Sequence, residues 1–208
     1  MLKVGILPEV LREHGEEAYE EFYRSFRIAA KKKKKLAVTS CITKEGKTNI
    51  AMQLALFYAE HNKKVLLLDA DLRDCGVKNL VTSDTPVPGL NQYLNGEAGL
   101  ADIICSTGIR GLHVITAGDP GSKPVEAMSG DQLDELFRIL DEVYDTVIVD
   151  TPAMSELRDT IMVCKLCNGI LLVVESGMLE DEQILEEKEK LRRTGTTILG
   201  VVLNKVEK

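Results

Sequence analysis

The sequence lacks an apolar stretch of the roughly 18 residues that a membrane-spanning helix requires. It also lacks a recognisable signal peptide before its first apolar strand, so we expect a cytoplasmic protein. Its five cysteines are an odd number and, without a secretory signal, they indicate reduced thiols rather than a disulfide framework. Cys164 and Cys167 have the spacing of a redox or zinc pair, but no second pair and no following histidine accompany them. Burial before a strand is the favoured interpretation.

An excess of positive charge is also missing. The 26 basic residues are outnumbered by 33 acidic ones, and the net charge of −7 argues against nucleic acid as the main partner. One local exception is the run Lys31 to Lys35, which is interpreted either as a solvated approach to a strand, the favoured alternative, or as a contact for acidic lipid or phosphate. With 208 residues, 44% of them hydrophobic, and no repeat or linker, the chain is expected to form a single domain over residues 1–208.

Apolar runs and helical segments alternate regularly after residue 36. The runs are too short to span a membrane and too unbroken for a sheet with one wet face, so they predict strands buried on both faces. The fold class predicted is α/β, a doubly wound and mostly parallel sheet. The predicted strands are 36–40, 65–69, 112–116, 146–150, 169–174 and 198–203, and the predicted helices are 48–61, near 90–105, 130–142, 156–166 and 180–194.

The first of these strands leads into a candidate phosphate-binding loop. Gly46, Lys47 and Thr48 stand between it and a helix-forming run, which is the order in which backbone N–H groups, one lysine and one hydroxyl surround nucleotide phosphates and Mg²⁺. The tripeptide alone is a weak signal, and the usual first glycine of such a loop is Cys41 here.

Carboxylates at the ends of two further strands strengthen the assignment. Asp69 and Asp71 follow the second strand, and Asp150 ends the strand 146–150. Each acid alone is more often a helix cap or a turn residue. Because the carboxyl ends of parallel strands share one edge, the three acids are expected to converge on a metal beside the loop.

A helix predicted at about 16–30 precedes this core and is rich in aromatic residues. Its aromatic stripe, four of the nine aromatic residues in the chain, consists of Tyr19, Phe22, Tyr23 and Phe26. Glu21, Arg24 and Arg27 follow each other at intervals of three, along one line of the helix surface. Packing on the protein's own sheet and an ion pair between Glu21 and Arg24 would account for part of this pattern. A contact between subunits would use both arginines.

Together these motifs resemble those of the bacterial tyrosine kinases, P-loop autokinases of capsular and exopolysaccharide biosynthesis. The similarity covers nearly the whole chain. It rests on four motifs: Glu21-x-x-Arg24-x-x-Arg27, like the oligomerisation signature of that family; Gly46-Lys47-Thr48 as Walker A; Leu66 to Arg73 as the distinctive second Walker motif; and Val147 to Pro152 as Walker B. The intervening segments Pro88 to Gly96 and Ala117 to Pro124 are similar as well.

The resemblance implies a P-loop NTPase of the partitioning ATPase-like type that binds ATP or ADP with Mg²⁺. It implies that Lys47, Asp69 and Asp71 are catalytic, and that Thr48, Asp69 and Asp150 serve the metal. Residues implied to bind the nucleotide are Thr43, Lys44, Glu45, Gly46, Lys47, Thr48, Asn49 and Asn204, the last by analogy with related ATPases, although it is equally interpreted as a turn residue. The implied partners are a transmembrane chain-length regulator and neighbouring copies of the chain in a ring at the inner face of the membrane.

Three departures from the family pattern keep alternatives open. Thr43-Lys44 replaces the usual Pro-Gly, Ala153 replaces a proline of the Walker B turn, and no tyrosine follows Tyr144, so autophosphorylation of a tyrosine-rich tail is not expected. One alternative is a nucleotide-binding regulatory module with little or no kinase activity. Another is a partitioning-type ATPase, which would carry an additional lysine where this chain has Ile42.

Overall fold

The computed structural model describes residues 1–13, 17–119 and 131–206. Its helices are α1 (Pro8–Glu13), α2 (Glu17–Ala29), α3 (Lys47–Glu60), α4 (Leu90–Leu94), α5 (Leu100–Ile103), α6 (Asp131–Val143), α7 (Leu157–Lys165) and α8 (Asp181–Arg192). Its strands are β1 (Leu2–Lys3), β2 (Gly5–Ile6), β3 (Lys35–Ser40), β4 (Val65–Asp69), β5 (Val81–Thr82), β6 (Cys105–Ser106), β7 (Leu112–Ile115), β8 (Thr146–Asp150), β9 (Gly169–Glu175) and β10 (Thr197–Asn204). Short 3₁₀ helices span Gly76–Leu80 and Met154–Glu156.

One sheet of eight strands organises the chain, in the order β1-β6-β7-β4-β8-β3-β9-β10. The six strands from β7 to β10 in this order are parallel to one another, whereas β6 is antiparallel to β7 and β1 is parallel to β6. β2 and β5 form a separate antiparallel pair. The predicted doubly wound, mostly parallel α/β fold is confirmed.

Helices cover both faces of this sheet, which is why its central strands are apolar throughout. On one face, α2 and α3 contribute buried side chains such as Tyr23 and Phe57. On the other face, α6, α7 and α8 contribute Phe137, Val163 and Leu191. The carboxyl ends of the parallel strands consequently lie together at one edge of the sheet, and their amino ends at the other.

One expectation about the elements was wrong. The helix expected near 90–105 is two short helices, because Gly96 adopts a left-handed conformation with φ of 72° between them. The first residues, which carried no strand prediction, include β1 at the end of the sheet. Residues 120–124 of the segment Ala117 to Pro124, and position 16 of the N-terminal helix, lie outside the described residues.

The aromatic stripe of α2 packs inward, as the simpler of the two interpretations expected. Tyr23 is fully buried and its ring centroid lies 4.7 Å from that of Phe57 in α3. Glu21, Arg24 and Arg27 are exposed on the outer surface. The suggested ion pair between Glu21 and Arg24 is wrong, because Arg24 pairs instead with Glu20 one turn earlier, at 3.5 Å.

Among the described residues, every helix is too short or too polar to cross a membrane.

Candidate functional site

The phosphate-binding loop connects β3 to α3 at the carboxyl edge of the sheet. Gly46 precedes the first turn of α3 with φ of 89°, a conformation that a side chain would strain. A Cβ atom there would also lie only 2.3 Å from Nδ2 of Asn204. Lys44 has φ of 68°, so the position where the family usually has glycine keeps the left-handed backbone although it carries a lysine.

Glu45 holds the inner side of this loop. Its side chain is completely buried, with one carboxylate oxygen accepting a hydrogen bond from the backbone N–H of Ile42 at 2.8 Å. The other oxygen accepts from the backbone N–H of Glu175, at the end of β9, at 3.0 Å. The carboxylate therefore ties the loop to the neighbouring strand through two charge-assisted hydrogen bonds.

Residues at the end of β10 hold the outer side of the loop. Asn204 donates from Nδ2 to the carbonyl of Glu45 at 2.9 Å, and Lys205 donates from Nζ to the carbonyl of Lys44 at 3.0 Å. The Lys205 ammonium also pairs with Glu175 at 2.7 Å. With its carbonyls engaged in this way, the loop can direct backbone N–H groups towards a ligand.

Lys47 is the cation of the site. Its Nζ lies 2.9 Å from Oδ2 of Asp71, and both side chains are nearly buried. Burial by itself would lower the pKa of Lys47, but the charges of Asp150 and Asp71 outweigh it and hold the pKa above its ordinary value. Lys47 therefore remains charged and is poised between carboxylates until an anion competes for it.

Asp69 and Asp150 lie side by side, because they are paired residues at the ends of β4 and β8. Burial, followed by the charge of Asp150, raises the pKa of Asp69 well above its usual range. Asp69 accepts hydrogen bonds from the backbone N–H groups of Asp71 and Val77, at 3.1 and 3.0 Å. Burial raises the pKa of Asp150 to about 7, although the charge of Lys47 and the hydroxyl of Thr48 oppose the increase.

The donor set next to Thr48 fits Mg²⁺. Neither buried oxygen of Asp150 accepts a hydrogen bond of good geometry within the described residues, although the Thr48 hydroxyl is near enough to lower its pKa. Burial of a carboxylate that accepts no hydrogen bond costs free energy unless a cation binds to it. In the described part of the chain, three or more acidic, histidine or cysteine side chains do not gather as a self-sufficient metal site. Mg²⁺ typically takes one or two carboxylates together with phosphate oxygens and water, and Asp150 with Thr48 could provide the protein ligands of such a site.

Arg73 anchors the segment that carries Asp71. Its guanidinium donates from Nε and Nη2 to Asp159 at 3.2 and 3.1 Å, and it also pairs with Glu156 at 3.3 Å. Asp71 accepts the backbone N–H of Arg73 at 3.3 Å. The start of α7 therefore fixes the turn after β4.

The structure gathers most of the residues that the sequence singled out. The predicted residues at this edge are Thr43, Lys44, Glu45, Gly46, Lys47, Thr48, Asn49, Asp69, Asp71, Asp150 and Asn204, with Thr43 and Lys44 exposed at the tip of the loop. Sequence reasoning missed Glu175, Lys205, Glu156 and Asp159. Their contacts join segments that are far apart in the chain, so no local sequence motif predicts them.

The fold and the loop define a P-loop nucleotide-binding protein. Residues 36–208 match the family model described as the CobQ/CobB/MinD/ParA nucleotide binding domain. The tyrosine-protein kinase CpsD of Streptococcus agalactiae serotype III is 30% identical over 208 residues, which cover 99% of this chain and 90% of that protein.

Solved structures agree. The kinase domain of the Escherichia coli tyrosine kinase ETK superposes with a TM-score of 0.83 at 30% identity, covering 92% of this chain and 77% of that one. The septum site-determining protein MinD from Pyrococcus horikoshii, complexed with Mg-ADP, has a TM-score of 0.68 at 24% identity over 82% of this chain and 69% of its own, a likeness of fold alone. The chain belongs to the MinD/ParA nucleotide-binding family and, within it, to the bacterial tyrosine kinases.

Proposed function

We propose that this protein transfers the γ-phosphoryl group of ATP to tyrosine hydroxyls of protein substrates and that it acts in capsular or exopolysaccharide biosynthesis. The observation that carries the proposal is the buried ion pair between Lys47 and Asp71, next to the unsatisfied carboxylate of Asp150. In this proposal Lys47 would supply the cation for the phosphates, Asp71 a candidate base and Asp150 a candidate metal ligand at the mouth of the loop.

The chemistry follows from those positions. Bound Mg²⁺, held through Thr48 and Asp150, would neutralise phosphate charge. Lys47 would leave Asp71 for the β- and γ-phosphates and stabilise the charge that develops there. The freed Asp71 carboxylate would accept the phenolic proton as the tyrosine oxygen bonds to phosphorus and ADP departs with the electron pair of the broken bond.

Between the two candidate bases, Asp71 suits the role better than Asp69. Both oxygens of Asp69 accept backbone hydrogen bonds and its side chain is fully enclosed. Asp71 loses its lysine partner when Lys47 moves to phosphate, so the carboxylate oxygen that faced Lys47 would be free to accept a proton when substrate is bound. Asp69 would then keep a positioning role, holding the turn that carries Asp71.

The partners of the proposed kinase are a transmembrane chain-length regulator and neighbouring copies of the chain at the inner face of the membrane. Support for self-association comes from α2, whose aromatic side packs inward while Glu21, Arg24 and Arg27 stay exposed on its outer side. Exposed arginines in a row can pair with carboxylates of a second copy, and head-to-tail repetition of one contact closes a ring.

The test compares two neighbouring acids. The chain is incubated with Mg-ATP and the purified cytoplasmic segment of its cognate chain-length regulator, and phosphotyrosine is read by mass spectrometry. Asp71→Asn is expected to lower turnover by ~100-fold or more, as removal of a general base does, while nucleotide affinity is kept. Asp74→Asn, which changes an exposed acid three residues away, is the matched control. Equal turnover in Asp71→Asn and the parent would reject the assignment.

A second candidate is a nucleotide-binding regulatory module that transfers little or no phosphate. Lys44, in a left-handed conformation at the loop position where the family usually has glycine, favours it. In the same experiment this candidate predicts nucleotide binding by the parent chain with no phosphotyrosine above that of Lys47→Met.

A further inference from the structure

The amino edge of the sheet, opposite the nucleotide loop, carries a concentration of positive charge. We define the basic edge as Lys31, Lys32, Lys33, Lys34, Lys35, Lys63, Lys64 and Arg110. These residues lie in or border the connections that lead into β3, β4 and β7. All of them are at least partly exposed to solvent.

Hydrogen bonds and a shared depression join these segments into one surface. The carbonyl of Lys34 accepts from the backbone N–H of Val147 at 2.8 Å, and Asp145 accepts from the backbone N–H of Lys64 at 2.9 Å. Lys63, Lys64, Arg110 and Asp145 line a shallow depression of about 460 Å³. The connections before β4 and β7 therefore present their charges side by side, and the run before β3 lies at the same edge beyond the intervening strand β8.

Local structure uses part of this charge. Lys33 donates from Nζ to the carbonyl of Asn168 at 2.8 Å, Lys34 donates to the carbonyl of Asp141 at 2.9 Å, and Lys64 lies 5.2 Å from the ring centroid of Tyr144. Four carboxylates lie along the same edge: Glu60, Asp141, Glu142 and Asp145, of which Asp141 pairs with Lys35 at 3.9 Å. Helices α2, α3 and α6 end here, and each helix end carries about half a negative charge. The eight cations outnumber the four carboxylates and the partial charges of the three helix ends taken together. This local excess occurs in a chain that has more acidic than basic residues overall.

Exposed apolar side chains flank the cations. Ile28 is 75% exposed, and its carbonyl accepts the backbone N–H of Lys31. Val143 is 44% exposed and lies two residues before Asp145. Basic residues beside exposed aliphatic side chains suit the boundary between lipid headgroups and acyl chains. Single-stranded nucleic acid would call for exposed aromatic rings, and no exposed large hydrophobic side chain of the described residues is aromatic.

We propose that the basic edge binds the anionic headgroups of a phospholipid bilayer directly, with Ile28 and Val143 entering the headgroup region. The nucleotide loop lies at the opposite edge of the sheet, so it would face away from the bilayer and stay open to nucleotide and protein substrates. This inference goes beyond the proposed function, in which a partner protein alone holds the kinase at the membrane.

The experiment measures cosedimentation of the full chain with vesicles of phosphatidylcholine containing 30% phosphatidylglycerol, and with vesicles of phosphatidylcholine alone. The parent is expected to bind the anionic vesicles and to be released as salt is raised. The triple variant Lys31→Gln, Lys63→Gln, Arg110→Gln should bind on the order of 100-fold more weakly.

A matched control lowers the net charge by the same amount at the opposite edge: Lys78→Gln together with Arg158→Glu. It has the same net charge as the triple variant and should bind like the parent. Equal weakening of both variants, or equal binding of the parent to both kinds of vesicle, would overturn the proposal. The proposal would also be overturned if the parent bound neither kind of vesicle but bound a single-stranded oligonucleotide through the same three residues.

Two further measurements complete the design. Replacing Ile28 and Val143 with serine should lower the binding that remains at high salt, because apolar burial is not screened. Nucleotide affinity of every variant is measured by calorimetry in parallel. Retained nucleotide binding shows that a variant is folded, and loss of vesicle binding with intact nucleotide binding keeps this proposal separate from that of the kinase.

Discussion

Replacing Lys47 with methionine should destabilise the protein as well as abolish nucleotide binding. Methionine keeps the apolar stem of the side chain but removes the ammonium that lies 2.9 Å from Asp71. Asp71 is then left buried without its cation, next to Asp69 and Asp150. Breaking a buried ion pair by removing one partner costs about 3–5 kcal/mol.

The double variant Lys47→Met, Asp71→Asn separates the two effects. It removes both members of the pair, so it leaves no stranded carboxylate at position 71. Its free energy of unfolding is expected to lie within about 2 kcal/mol of the parent, because buried ion pairs can be replaced by neutral residues at little cost. With Asp71→Asn as the other single variant of the double-mutant cycle, the coupling energy should therefore be about 1 kcal/mol or more in favour of the pair.

Urea denaturation at pH 7 without nucleotide measures the stabilities, and calorimetry with Mg-ADP measures binding. Both variants containing Lys47→Met should fail to bind nucleotide, including the double variant, whose stability is restored. A single variant as stable as the parent would refute the electrostatic reasoning. A double variant as unstable as Lys47→Met alone would do the same, and unchanged nucleotide affinity would remove the loop assignment.

Three other predictions follow from the loop and from α2. Glu45→Gln should lower the free energy of unfolding by about 1.5–3 kcal/mol, because an amide cannot accept both backbone hydrogen bonds; urea denaturation against the exposed control Glu97→Gln checks this, and equal midpoints would contradict it. Lys44→Gly should stabilise the loop by about 0.5–1 kcal/mol and tighten nucleotide binding, since it removes the strain of a positive φ; a lower thermal midpoint would argue against strain. Replacing Arg24 and Arg27 with alanine should lower the mass found by sedimentation in the presence of the membrane partner, and an unchanged mass distribution would exclude the interface.

The central strands were predictable because their physical signal is strong. Runs such as 146–150 and 169–174 are apolar without interruption, and burial on both faces of a parallel sheet requires that pattern. The observed bounds agree with the predicted ones to within a residue or so. Strands of two residues such as β1 and β6 carry no periodicity, and they form only because the edge of a finished sheet offers them hydrogen-bond partners.

The site was predictable in part for the same reason. Asp69 and Asp150 end neighbouring strands, so the rule that carboxyl ends share an edge was enough to bring them together. The buried position of the Glu45 side chain was not accessible from sequence, because its partner Glu175 lies 130 residues away. The pairing of Arg73 with Asp159 spans 86 residues and depends equally on the finished fold.

The charge balance of the loop explains why nucleotide and metal should bind together. Asp69, Asp71 and Asp150 share one lysine, and burial already raises the pKa of Asp69 and Asp150, so the protein alone leaves this pocket short of positive charge. If a phosphate drew Lys47 away from Asp71 and no metal were bound, the three carboxylates would have still less positive charge near them. A metal without phosphate would lack ligands, since Asp150 and Thr48 provide few. Each ligand thus supplies what the other needs, and we expect the affinity for ADP to fall when Mg²⁺ is chelated.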